Sequence, residues 1–145
     1  MFVVHGHDNL AKMELARTLE RLKLRAVVLH EQPNEGKTVI EKFERDASKA
    51  AFAVVLLTPD DVGYPVGKPD DSKRRARQNV ILELGYFSGS LGRANVCVLY
   101  KGEVDIPSDY IGVAYVQMDD AGSWRFTLAK ELRQAGLQVD LNDLV

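Results

Sequence analysis

Glu83 is the side chain in this sequence whose setting best suits chemistry. It lies in the stretch Lys73-Arg74-Arg75-Ala76-Arg77-Gln78-Asn79-Val80-Ile81-Leu82-Glu83-Leu84-Gly85-Tyr86-Phe87. At helical spacing Ala76, Val80, Leu84, Phe87 and Leu91 share one apolar stripe. Glu83 stands beside that stripe, roughly 60° from its centre at about 100° per residue. Asn79 falls one turn earlier on the same side and Tyr86 nearly one turn later. A carboxylate flanked by Leu82 and Leu84 is partly desolvated, which raises its pKa and strengthens its field. A cleft carboxylate fits this description, and so does a buried structural ion pair.

Other chemistry-bearing residues cluster in His5-Gly6-His7-Asp8 and Thr58-Pro59-Asp60-Asp61. His5, His7 and His30 are imidazoles that can bind metal, but their spacing matches no strong ligand pattern, and no metal is expected. A phospho-receiver would use Asp60 or Asp61 with Asp8, and would want a lysine after the fifth strand. That segment reads Val116-Gln117-Met118-Asp119. A Rossmann-type dinucleotide turn needs several glycines, and His5-Gly6-His7-Asp8-Asn9 has one. The turn can still present N–H groups to a phosphate at a helix N-terminus, although Asp8 opposes a bound anion. Arg74, Arg75 and Arg77 read either as a solvated helix start or as contacts to a pyrophosphate or a neighbouring subunit. Basic residues are mildly unfavourable at a helix N-terminus, which points to a partner.

The elements that must position these groups alternate along the chain. Phe2-Val3-Val4-His5 is a short strand, and Asp8 caps a helix whose stripe is Ala11, Leu15, Leu19 and Leu22. Ala26-Val27-Val28-Leu29 is a second strand, followed by the polar loop His30 to Gly36. Thr38-Val39-Ile40-Glu41 has capping-box spacing and opens a helix with Ile40, Phe43 and Ala47 inward. The segment from Ala51 to Leu57 is apolar on both alternating faces, as a central strand is. The pattern then lapses through Gly63, Pro65, Gly67 and Pro69, a long loop of the functional or mobile kind, until Lys73 opens the Glu83 helix. That helix ends near Gly92. Asn95 to Tyr100 and Val113 to Val116 are the fourth and fifth strands. Ser123 caps a last helix with Leu128, Leu132 and Ala135 inward, closed by Gly136.

This alternation predicts an α/β fold: a flavodoxin-like three-layer sandwich around a five-stranded parallel sheet in the order 2-1-3-4-5. Ligands of such sheets bind beyond the carboxyl ends of the strands, where the order reverses. The rule brings His5 to Asp8, Thr58 to Asp61 and the start of the Glu83 helix to one edge.

A chain of 145 residues holds one domain around one core, with 46% hydrophobic and 28% charged residues as in ordinary soluble proteins. A net charge of −2 argues against a dedicated nucleic-acid or anionic-membrane surface. No apolar run reaches the ~20 residues of a membrane span, and Met1-Phe2-Val3-Val4 is no signal peptide. The lone Cys97, inside Val96-Cys97-Val98-Leu99, reads as a core residue of a cytoplasmic protein.

Four motifs carry a resemblance: Phe2 to Asp8, His30-Glu31-Gln32-Pro33-Asn34, Ala53 to Asp61, and Arg75 to Phe87. Together they resemble the bacterial TIR-like (Toll/interleukin receptor) nucleotide-binding domains of antiphage defence effectors, from Met1 to about Leu137. The resemblance implies a single TIR-like domain over 1–145, excised from or fused within a longer effector. It implies hydrolysis of NAD⁺, as substrate and with no cofactor, to nicotinamide and ADP-ribose or a cyclised form. Glu83 matches the family's catalytic glutamate. Substrate contacts are expected from His5, Gly6, His7, Asp8, Gln32, Asn34, Thr58, Asp60 and Asn79. The loop His30 to Gly36 is expected to close over the nucleotide and to pack against a neighbouring subunit, so that self-association activates the enzyme. Neither membrane nor nucleic acid is an expected partner. A non-catalytic interaction module and a nucleoside-transferring enzyme are the alternatives.

Overall fold

Strand β1 (Phe2–Val4) is buried along its whole length and pairs on both sides in parallel. Its neighbours are β2 (Val27–Val28) and β3 (Ala53–Leu57). The computed structural model describes residues 1–28, 41, 52–107 and 112–145. The loop His30 to Gly36, with Gln32 and Asn34, and all but Glu41 of the helix expected from Thr38 onward lie outside the described residues.

After β3 the chain forms an antiparallel ribbon of β4 (Asp61–Gly63) and β5 (Lys73–Arg75). It then enters helix α2 (Gln78–Leu91) and returns to the sheet as β6 (Val96–Tyr100) and β7 (Ala114–Gln117). Helix α1 (Asn9–Arg21) and helix α3 (Trp124–Gln134) are further helices among the described residues. The five-stranded sheet runs β2-β1-β3-β6-β7. Its strands are the five read from the sequence, in the expected spatial order; the labels differ because the ribbon intervenes.

That ribbon corrects the expected start of the Glu83 helix. Lys73, Arg74 and Arg75 pair with Gly63, Val62 and Asp61, so they form a strand rather than a first helical turn. The backbone of Arg77 is still extended, at φ −56° and ψ 145°, and the helix begins at Gln78. The three cations thereby stay clear of the positive end of the helix dipole. Ala76 is buried in phase with the apolar stripe although it precedes the helix, which is why periodicity alone extends the helix too far.

Strand alternation divides the core in two. Val54 and Leu56 of β3 and Cys97 and Leu99 of β6 face α1 and α3, meeting Leu15, Leu19, Trp124, Leu128 and Leu132. Val55, Leu57, Val96 and Val98 face α2, meeting Val80, Leu84 and Phe87, and the Phe87 ring lies 5.0 Å from that of Phe2. Burying each such side chain stabilises the fold by roughly 1.5–3 kcal/mol. Helices on both faces of one sheet give three layers.

The caps follow the sequence at one helix and depart from it at another. The Asp8 carboxylate accepts from the Ala11 N–H at 3.0 Å, opening α1 as expected. Ser123, the expected cap of α3, makes no side-chain cap and has helical φ and ψ. The carboxylate of Asp119 accepts from the N–H groups of Ser123 and Trp124 instead, at 3.1 and 2.9 Å. A longer reach from the preceding turn replaces the local hydroxyl. Gly136, at φ 93°, ends α3 in the left-handed region that glycine favours.

Candidate active site at the carboxyl edge of the sheet

The turn after β1 and the segment after β3 are tied together by Asp60. Its Oδ1 accepts from the buried Thr58 hydroxyl at 2.8 Å, and its Oδ2 accepts from the His7 N–H at 3.0 Å. Gly6 is required beneath this clamp, because a Cβ there would overlap the Asp60 carboxylate. His5 is buried, with Nδ1 2.8 Å from the Gly6 carbonyl. A carbonyl only accepts, so Nδ1 carries the proton. The side chain of Asp8 turns to its helix cap and to Lys101, whose Nζ is 3.3 Å from Oδ2. Its contacts with the Ala11 and Leu10 N–H groups and with Lys101 outweigh burial and hold its carboxyl below the usual range.

Glu83 lies in the second turn of α2 and is 1% exposed. Burial pushes its carboxyl up to about 7, against the opposing pull of the Arg77 charge at the helix start. A carboxylate in this state exerts a strong field on anything brought beside it, and it is poised to change charge near neutral pH.

The structure thus gathers His5, Gly6, His7, Asp8, Thr58 and Asp60 at the carboxyl edge, and the amino end of α2 rises from the same edge. Asn79 is exposed on the first turn of α2, whereas Glu83, one turn further on, is enclosed. Among the described residues, no three His, Cys, Asp or Glu side chains converge to hold a metal ion. No described helix is long and apolar enough to cross a membrane.

Two charges here were missed in the sequence. Lys101 directly follows the fourth sheet strand, whereas the sequence reading asks for a lysine only after the fifth, where a phospho-receiver would need one. Arg77 was grouped with a basic run, although it alone of that run shifts the carboxyl of Glu83.

The family model described as CAP12/Pycsar effector protein, TIR domain, matches residues 1–120, a span that includes every described candidate residue. The chain belongs to this family of TIR domains. YuaY of Escherichia coli (strain K12) is 47% identical over 140 residues, covering 97% of this chain and 46% of the relative. Protein tirC of Dictyostelium discoideum is 34% identical over 127 residues, covering 80% of this chain and 62% of the relative. The Pycsar effector protein PaPycTIR of Pseudomonas aeruginosa is 32% identical over 107 residues, covering 72% and 32%. The TIR domain therefore spans less than two thirds of the length of each of these relatives.

Proposed function

We propose that this TIR domain is an NAD⁺ glycohydrolase, the effector part of an antiphage defence protein, and that self-association activates it. The observation that carries the reading is Glu83: a carboxylate held at about 7 by burial, on the helix that rises from the ligand edge of a TIR fold. Cleavage of the nicotinamide–ribose bond suits one such group. Nicotinamide departs neutral from a cationic ring, so the leaving group needs no proton. The positive charge that builds on the ribose needs a fixed anion nearby, and water then adds to that carbon with loss of a proton. Ionised Glu83 stabilises this charge by its field, by holding the ribose hydroxyls, or by orienting the water. His5, Gly6, His7, Asp8, Thr58, Asp60 and Asn79 form the rim in this reading. Gln32 and Asn34, on the loop His30 to Gly36, are further substrate contacts in this reading, and that loop is its contact with a neighbouring subunit.

One feature favours the rival reading of a non-catalytic interaction module: Glu83 is 1% exposed, so a sugar reaches it only after its surroundings open. Incubation of concentrated protein with NAD⁺, followed by assay for free nicotinamide, separates the two. Release is expected, with Glu83→Gln slower by about 10²–10³-fold, as for loss of one preorganised electrostatic contact. A folded Glu83→Gln variant with full turnover would remove Glu83 from the chemistry. No release at any concentration would favour the interaction module.

A further inference from the structure

The ribbon between β3 and α2 carries a recognition surface that Glu83 does not use. In its register Asp61 faces Arg75 and Gly63 faces Lys73, so these residues share one face, while Val62 and Arg74 occupy the other. The first face walls an open cleft of about 630 Å³ lined by Tyr64, Asp70, Asp71, Lys73, Arg75 and Asp105, among others. Its size falls within the roughly 300–1,000 Å³ of small-molecule sites. Two details indicate that the cations are kept available. The Arg75 guanidinium lies across Gly63, where a methyl group would stand 2.6 Å from its carbon, so the missing side chain makes room for it. Lys73 and Arg75 form no ion pair among the described residues, although three carboxylates border the same cleft. The Tyr64 side chain, 55% exposed at the lip, presents a free aromatic face.

Cations, carboxylates and an aromatic ring in one cleft match a ligand that combines phosphates, a diol and a base. A guanidinium and an ammonium suit phosphate oxygens, carboxylates accept from ribose hydroxyls, and an aromatic face stacks a base. The acidic residues disfavour a bare polyanion and so select for the whole nucleotide. The cleft stands at the same sheet edge as the rim residues, since β4 follows β3 directly and Asp105 follows β6. Only Ala76 and Arg77 separate Arg75 from the first residue of α2.

We propose that the ribbon cleft binds a nucleoside diphosphate, with Lys73 and Arg75 on its phosphates and Tyr64 on its base. Its assignment as the ADP half of the dinucleotide rests on the glycohydrolase reading above; the binding itself does not.

The test is a calorimetric titration of the whole chain with ADP, repeated on Lys73→Ala, Arg75→Ala and Glu83→Gln. All three are expected to melt as the parent does or above it. Saturable binding is expected for the parent and for Glu83→Gln, weakened about 10-fold or more in each cation variant, as for loss of a charge-assisted hydrogen bond. Equal binding by the parent and both cation variants overturns the proposal, as does no saturable binding by the parent. NAD⁺ turnover measured in parallel keeps the two readings apart. ADP binding lost in Arg75→Ala, with no nicotinamide released by any variant, defeats the glycohydrolase and leaves the cleft standing. Nicotinamide release with ADP binding indifferent to Lys73 and Arg75 does the reverse.

Discussion

Glu83, on which the proposed chemistry rests, also weakens the fold that holds it. Its carboxyl, ordinarily near 4.5, titrates here at about 7 because burial disfavours the charge. Between those pH values the native state keeps a proton that the unfolded chain has released, so stability falls as pH rises through that window. At about 1.4 kcal/mol per pH unit, the penalty reaches about 3 kcal/mol once the group is fully ionised above pH 7. Thermal melts from about pH 5 to about pH 8 should show this falling limb, and Glu83→Gln should remove it. In the glycohydrolase reading turnover should rise through the same window, because that reading uses the ionised form. Arg77→Gln should move that rise to higher pH by deleting the charge that holds the carboxyl down.

Asp60 calls for a different pair of substitutions. Asn can keep its carbonyl on the His7 N–H while its amide donates to the Thr58 hydroxyl, so Asp60→Asn should preserve the turn. Asp60→Ala should lower stability by about 1–3 kcal/mol in urea unfolding and speed exchange of the His7 amide. Equal losses in the two variants would show that the charge of Asp60, not its geometry, is what matters.

At the level of elements, what was legible in the sequence followed the strength of its periodic signals. The stripe of α1, its Asp8 cap, the doubly apolar β3 and the glycine end of α3 all rest on local rules, and the structure has them. The ribbon was illegible. Asp61–Gly63 and Lys73–Arg75 are three-residue strands with no alternation, and they are held by mutual pairing across a nine-residue gap that no local window sees. The cap of α3 was misread for a related reason: Asp119 lies four residues before Ser123, outside the usual capping frame. Among the candidate residues, Glu83 stands out in the sequence because an acid among leucines breaks a pattern, and the structure buries it. Lys101 is not legible because its partnership with Asp8 exists only once β1 and β6 stand on either side of β3 in one sheet. The cap of α1 can be tested directly. Asp8→Ala should destabilise by about 1 kcal/mol, and Asp8→Asn, which caps equally well, should recover most of that in chemical denaturation. The contribution is present above the ordinary carboxylate range and is lost as pH falls through the depressed pKa of Asp8.

For the molecule as a whole, the sheet is the common reference for both helical layers, and Cys97 sits in its interior, on β6 between β3 and β7. Its thiol is fully buried in β6 and is pushed up to about 12, first by burial and then by the Glu131 charge. Native protein should therefore react with a thiol reagent only through global opening. The labelling rate should match the unfolding rate or the opening equilibrium, whichever regime applies, and should accelerate in core variants such as Leu84→Ala. Fast labelling under native conditions would mean that the interior of the sheet opens locally.

The path of the chain around that interior has an evolutionary corollary. It leaves the sheet at Leu57 and rejoins it at Val96, on the strand that lies beside the one it left. The excursion leaves at the carboxyl edge and re-enters at the amino edge, with α2 lying between the ribbon and β6, so the ribbon can be lengthened, trimmed or exchanged without reshuffling the sheet. A lineage built on this plan is free to change the surface it presents by rewriting some fifteen ribbon residues while the helix that carries Glu83 stays in place.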